Sequence, residues 1–371
     1  MFSVWLRRIA VMYSAKGITT PWVKTAAWMR FAALIVVPGW WSYADWAVRY
    51  RQISPIVPLW VLLICPICVS VYVARIIGYS SDALAFDRKW TAHDIGRLAL
   101  WRTLSSTLPL LLFAFGVDGI LERNRVAVLW LFAAGLTALV ALARLRWVEG
   151  VRFRPVKSGD FYKRAFVLAK RMGVPLRRVA VVPFGRGHLS NAYSRSDEIA
   201  ITDDYGHWLT GPRLDFVVGH ELAHAKNKHG QKKLLITIAV FVAVSLPAFA
   251  LPHLHGSWHV LFNIGVIVVP VLISESVSRR FEYVADRDAV ELTGDVIAAT
   301  QSLVDPYRRA DVPAEMGMMQ RLLSSHPGLW QRIEAISCTG KVSADDLARI
   351  HGTGKRSRSW LGSQRVRATD S

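Results

Sequence analysis

The sequence predicts an α-helical polytopic membrane protein into which one α+β domain is built. Three observations carry that reading. Stretches of about 20 apolar residues, the length of a bilayer-crossing helix, recur along the chain. A polar segment with both helix and strand patterning interrupts them, and basic residues crowd alternate connections. Composition agrees: 52% of the 371 residues are hydrophobic and 20% charged, with 15 tryptophans, and mean hydropathy is +0.27. That balance excludes a disordered chain and argues against a purely soluble one. The net charge of +19 would suggest nucleic acid in a soluble domain. Beside long apolar runs it fits basic loops on a cytoplasmic face, so no nucleic-acid partner is expected.

Taken in order, residues 1–25 read as a cytoplasmic segment, since the apolar stretch after Arg7 and Arg8 is short and broken by Lys16 and so is no secretory signal. Residues 26–150 read as a membrane region of about four spans, 26–46, 56–77, 103–120 and 126–148. A transmembrane hairpin follows at 234–278, with arms 234–251 and 258–278. Its turn, 252–257, carries no Lys or Arg, whereas Lys226, Lys228, Lys232 and Lys233 precede the hairpin and Arg279 and Arg280 follow it. This asymmetry places both termini, and the polar domain, in the cytoplasm. Residues 341–371 read as a basic, disordered tail. Cys65, Cys68 and Cys338 offer no disulfide framework, and the CxxC pair lies within an apolar run, where it reads as buried packing.

The α+β domain is divided by the hairpin into 151–233 and 279–340. Apolar residues at helical spacing (Phe161, Ala165, Phe166, Leu168, Ala169) predict a helix over 158–172, stopped by Gly173 and Pro175. Short turn-bounded runs at 179–182, 189–193 and 198–202 predict strands. Pro212 suits the first turn of a helix carrying Leu214, Phe216, Val217, Leu222 and Ala223, expected to end near Gly230.

That helix carries the chemistry, His220-Glu221-Leu222-Ala223-His224. Side chains four apart share a helix face, so both imidazoles can hold one metal ion. Glu221 points elsewhere and can act as general base toward a water at the ion. The competing reading is a polar helix face with satisfied histidines. It weakens with Glu282 and, one turn later, Asp286, on what reads as another helix after the hairpin. A catalytic zinc takes three protein ligands and keeps one position open. Glu282 supplies the third, and Asp286 can accept the N–H of a ligating imidazole.

With these pieces in place the chain resembles the HtpX-like and CAAX-prenyl-endopeptidase family of membrane-integrated zinc metalloproteases, a branch of the gluzincins. The matching segments are His220-Glu221-x-x-His224, Arg279-x-x-Glu282-Tyr283-x-Ala285-Asp286, Asn191-Ala192-Tyr193, and His326-Pro327 followed by Arg332-Ile333. The resemblance covers about 151–336; the first 150 residues match only as membrane spans, with more of them than the simplest HtpX-like arrangement. It implies an α+β zincin-like metalloprotease domain holding one Zn²⁺ per chain through His220, His224 and Glu282. Glu221 would be base and acid, with Asp286 and Arg279 behind the ligands. Arg279 would pair with a carboxylate or serve as a juxtamembrane cation. Asn191 and Ala192 would lie on an edge strand that takes the peptide, or form an ordinary hairpin strand. His326 would donate to the oxyanion, or cap the terminal helix. His253, His255 and His259 fall in or beside the hairpin turn and read as interfacial; His188 and His229 have no matching partner spacing.

The implied protein is an integral membrane endopeptidase of a bacterial cytoplasmic membrane, its site facing the cytoplasm. It would act on membrane-associated or misfolded proteins, with protein or peptide substrates and the lipid bilayer as its partners. The alternatives are a processing protease for lipidated, CAAX-type C-terminal peptides, or a non-enzymatic zinc-binding scaffold or sensor.

Overall fold

The computed structural model describes residues 91–106, 108–121, 127–148, 153–182, 191–195, 197–247, 257–309 and 318–339, with a few helical residues between 68 and 76. The expected spans 26–46 and most of 56–77, the N-terminal segment 1–25, the hairpin turn, His188 and the tail 341–371 lie outside them.

Three helices come first, α1 (Ala92–Ser106), α2 (Leu108–Leu121) and α3 (Ala127–Val148). The expected span 103–120 is therefore divided between the end of α1 and α2, while 126–148 is α3 almost residue for residue. A four-stranded sheet follows, with β1 (Arg154–Pro155), β2 (Arg178–Val182), β3 (Ala192–Ser194) and β4 (Glu198–Thr202). Their spatial order is β1-β2-β4-β3, so β3 ends the sheet. β2 and β4 run parallel, Val179 opposite Ile199 and Val181 opposite Ile201. The outer pairs are antiparallel. A helix, α4 (Asp160–Met172), connects β1 to β2 and buries Ala165, Leu168, Ala169 and Met172. It ends at Gly173, whose φ of 75° and N–H bonds to the Ala169 and Lys170 carbonyls close the last turn.

After β4 come the short α5 (Asp203–Trp208) and α6 (Gly211–Lys226), with Pro212 in its first turn as the sequence predicts. α6 stops at Lys226 rather than near Gly230. Lys228 adopts φ 53°, a left-handed conformation that breaks the helix, and Gly230 belongs to the first turn of α7 (His229–Ser245). The sequence suggests separate helices for the second hairpin arm and for the segment carrying Glu282. The structure has one, α8 (Ser257–Thr293), 37 residues long with Pro270 inside it. No turn signal lies between the arm and the motif, so nothing stops the helix. The remaining elements are α9 (Val296–Arg309), α10 (Met318–Leu323) and α11 (Leu329–Thr339). Among the described residues no helix is long and apolar enough to cross a membrane.

α6 is the centre of the domain: it packs on α4, β3, α8 and α9. The shared core includes Leu168, Ile199, Ile201, Phe216, Leu222, Ala285, Ala289, Leu329 and Ile333. α6 and α8 approach closely at Gly219, where an added Cβ would lie 3.4 Å from Ala289 Cα and Cβ and from Leu292 Cδ2. That contact sets the separation of the two helices one residue from His220. Gly219→Ala should therefore melt close to wild type, since 3.4 Å is ordinary contact. Gly219→Val should overpack the crossing and cost about 1–3 kcal/mol, read as a lower melting temperature with reduced metal content. A valine variant that melts and loads metal like wild type would show that the crossing has slack.

Candidate metal centre

Helix spacing on α6 puts His220 and His224 on one face, and the same spacing on α8 puts Glu282 and Asp286 on one face. The helix crossing turns these faces toward each other. His220 Nε2 lies 3.1 Å from His224 Nε2. Glu282 reaches both, with Oε2 3.6 Å from His220 Nε2 and Oε1 3.4 Å from His224 Nε2. Bonds of about 2.0–2.1 Å in a tetrahedron separate ligand atoms by roughly 3.3 Å, which is the spacing found. Glu282 Oε2 is also buried without an aligned hydrogen-bond partner. A buried anionic oxygen left in that state fits a cation between the three side chains, and these three form the metal-competent group among the described residues.

The opposite edges of both imidazoles are held. His220 Nδ1 is 3.0 Å from Asp286 Oδ1, the carboxylate expected to face one of the two imidazoles. His224 Nδ1 is 2.9 Å from His229 Nδ1. Asp286, 1% exposed, is gripped by Arg332 of α11 through two bonds, Nε to Oδ2 at 2.8 Å and Nη2 to Oδ1 at 2.6 Å. Arg332 Nη1 also stands 3.7 Å from Glu282 Oε2. Burial alone would push the Glu282 carboxyl up, but the His224, His326 and His220 imidazoles and Arg332 outweigh it and hold it well below the usual carboxylate range. For Asp286, burial is likewise outweighed by Arg332 and His220, which lower it. Burial disfavours charge on His224, yet contact with Glu282 and the charge of Glu221 raise it. His229 is pushed down to about 4 by burial, then by His224 and Lys232.

Two residues of the centre were not assigned roles from sequence. Arg332 stood in a matching segment with no function attached; its signal is a lone arginine among the apolar positions of α11. His229 is five residues past His224, a spacing that shares no face on a continuous helix. The left-handed Lys228 brings it back, and no sequence pattern announces that.

The other expected residues fall around the centre. Glu221 is half-buried on α6 beside the ligands. His326, 60% exposed, puts Nδ1 2.9 Å from Glu282 Oε2, and its backbone N–H donates to Ser324 Oγ at 3.1 Å. Arg279 pairs with no carboxylate among its described contacts. It donates to the carbonyls of Arg321, Leu322 and Ser324, at 3.1, 3.4 and 2.8 Å, closing the end of α10 just before His326. Ala192 begins β3 at the end of the sheet, against α6. Asn191 O accepts from Thr202 N and Glu198 O from Arg195 N, so alternate residues Ala192 and Ser194 turn their backbone polar groups toward the open edge. The Ala192 N–H is meanwhile taken by Asn191 Oδ1 at 2.9 Å.

Known proteins resemble the chain in sequence and in fold. Residues 157–339 match peptidase family M48. A protease HtpX homolog from Methanopyrus kandleri is 26% identical over 203 residues, spanning 46% of this chain and 63% of its own length. One from Thermococcus kodakarensis is 25% identical over 234 residues, 52% of this chain and 77% of its own. In fold the chain is similar to Ste24p of S. mikatae, with a TM-score of 0.54 over 81% of each chain at 19% identity.

Arg332→Met should be among the most damaging single changes in the domain. It leaves the buried Asp286 uncompensated, a loss of about 3–5 kcal/mol, read as a large fall in melting temperature of purified protein. A variant that melts like wild type would mean the carboxylate is held by something else.

Proposed function

We propose, from the match of residues 157–339 to peptidase family M48, that the chain is a membrane-bound, zinc-dependent endopeptidase that hydrolyses membrane-associated or misfolded proteins. The observation that carries this reading is the convergence of His220, His224 and Glu282, with Glu221 beside them on α6. Two imidazoles and a carboxylate are a zinc donor set, and three protein ligands leave a position for the reacting groups. Zinc held there would polarise the scissile carbonyl and make a water acidic enough to act near neutral pH.

The chain's own groups do the rest. Glu221 takes the proton of the attacking water and returns it to the departing amine. His326, on an exposed segment that already reaches Glu282, donates a hydrogen bond to the oxyanion as it forms. Arg279 positions that segment through its three carbonyl bonds. A peptide lies along the open edge of β3 as an added strand, exchanging bonds with Ala192 and Ser194 while Asn191 releases the Ala192 N–H.

Membrane attachment rests on the apolar side chains that the helices outside the sheet domain expose. Val128, Leu129 and Phe132 of α3 are 65–72% exposed, and Leu235, Ile238 and Val242 of α7 are 50–66% exposed. Such faces need cover, and with the alternating basic connections the bilayer supplies it.

Detergent-purified protein should cleave casein, and a chelator should stop it. Glu221→Gln should keep its metal and lose turnover, and His224→Ala should lose both. In His326→Ala, kcat per metal-loaded molecule should fall about a hundredfold with KM nearly unchanged. Cleavage that survives Glu221→Gln would refute the assignment of the base; a His326→Ala kcat equal to wild type would leave that residue a structural role. Orientation is tested by labelling single cysteines in intact cells. Asp204→Cys should be shielded and Gly256→Cys reached from outside, and the opposite pattern would place the site on the external face.

A further inference from the structure

We propose that His229 is a positioning residue of the metal centre: its Nδ1 accepts the Nδ1–H of His224 and so presents the Nε2 lone pair of His224 to the ion. The proposal rests on the metalloprotease reading and adds to it a residue outside the ligand set. The first support is distance, 2.9 Å between the two Nδ1 atoms. The second is valence. A neutral imidazole that gives its Nε2 lone pair to a metal carries its proton on Nδ1. Two N–H groups cannot face each other at that distance, so His229 must offer a lone pair at Nδ1 and carry its own proton on Nε2.

The third support is that the His229 ring is fixed independently of His224. It is 5% exposed and lies flat on Phe281, with centroids 4.3 Å apart and planes 4° from parallel. Phe281 is the residue before Glu282, so the helix that supplies the third ligand also sets the orientation of His229. The backbone is held too. Lys228 has φ 53°, the positive-φ non-glycine residue among those described. Asn227 Nδ2 donates to Asp288 Oδ2 at 2.8 Å, tying this turn to α8. A left-handed lysine persists where its surroundings impose it, and its effect here is to aim His229 back at His224. Each of the two imidazoles then has a polar neighbour at its Nδ1 edge, Asp286 Oδ1 at 3.0 Å for His220 and His229 Nδ1 for His224.

His229→Phe keeps a ring on Phe281 and removes the acceptor; His229→Asn places an amide oxygen near the position of Nδ1. In full-length, detergent-purified protein, chelator competition should show zinc affinity about 10–100-fold weaker in the phenylalanine variant. The asparagine variant should recover most of that loss, and the Co²⁺ absorption spectrum should change in phenylalanine more than in asparagine. Wild-type zinc affinity in folded His229→Phe, or an equal loss in both variants, overturns the proposal. Imidazole ¹⁵N spectra of the zinc-loaded wild type provide a readout that needs no variant. They should show a protonated Nδ1 on His224 and a bare Nδ1 on His229, and the reverse assignment overturns the proposal as well. Wild type that binds no zinc at all would instead bring down the metalloprotease reading beneath it.

Discussion

The buried carboxylate of Asp286 is the constraint on which the centre depends. A carboxylate 1% exposed loses hydration worth several kcal/mol, so its surroundings must replace every contact water would have made. Arg332 does so on one side with two parallel bonds, and His220 on the other at 3.0 Å. Arg332 is itself largely enclosed, its side chain 15% exposed, and Asp286 and Glu282 keep its guanidinium charged in spite of burial. Each of these groups is tolerable in the interior only because the others are there. The network joins α6, α8 and α11, three elements far apart in sequence, at one point. The orientation of His220, a proposed metal ligand, is thus fixed by the requirement that keeps the charges paired.

Fold and chemistry meet again at the α6–α8 crossing. Small residues at the contact, Gly219 on α6 against Ala289 on α8, let the backbones approach until short side chains span the gap. Glu282 is one carbon longer than aspartate and reaches across to both imidazoles; Asp286, one turn on, meets the nearer edge of His220. A ligand set whose atoms lie 3.1–3.6 Å apart needs the helix separation held to a fraction of an ångström. The core around Ala285, Ala289, Leu222 and Ala223, all fully buried, does this by close packing rather than by polar contacts.

What the sequence disclosed follows from how local each signal is. His220, His224, Glu282 and Asp286 repeat at one-turn spacing within helices, and Pro212, Gly173 and the alternating strands mark element ends through backbone chemistry. Within each helix these could be read because sequence distance and spatial distance agree. Arg332 could not, because its meaning lies in the Asp286 it meets across 46 residues. His229 was hidden by a single unusual torsion at Lys228, which overrides the rule that residues five apart on a helix face different ways. The end of α6 was misplaced for the same reason. Arg279 was expected either beside a carboxylate or as a juxtamembrane cation; the end of α10 instead presents carbonyls that an arginine fork satisfies.

The continuity of α8 changes how the chain's two halves relate. As separate helices, the hairpin arm and the Glu282 segment would be joined by a turn free to adjust. As one helix, every residue advances 1.5 Å and turns about 100°, so the register of the arm is the register of the ligands. The arm packs on α7 and the ligand half on α6, while α6 and α7 are linked by the two residues Asn227 and Lys228. The hairpin and the metal centre therefore form one closed mechanical loop: α6, the strained turn, α7, its return connection, and α8. His229 sits where that loop is tightest, touching His224 of α6 and Phe281 of α8 from the first residue of α7. A displacement of α7 is felt at His224 through this histidine. The site's geometry is in this sense a property of the hairpin as much as of the domain that carries its residues.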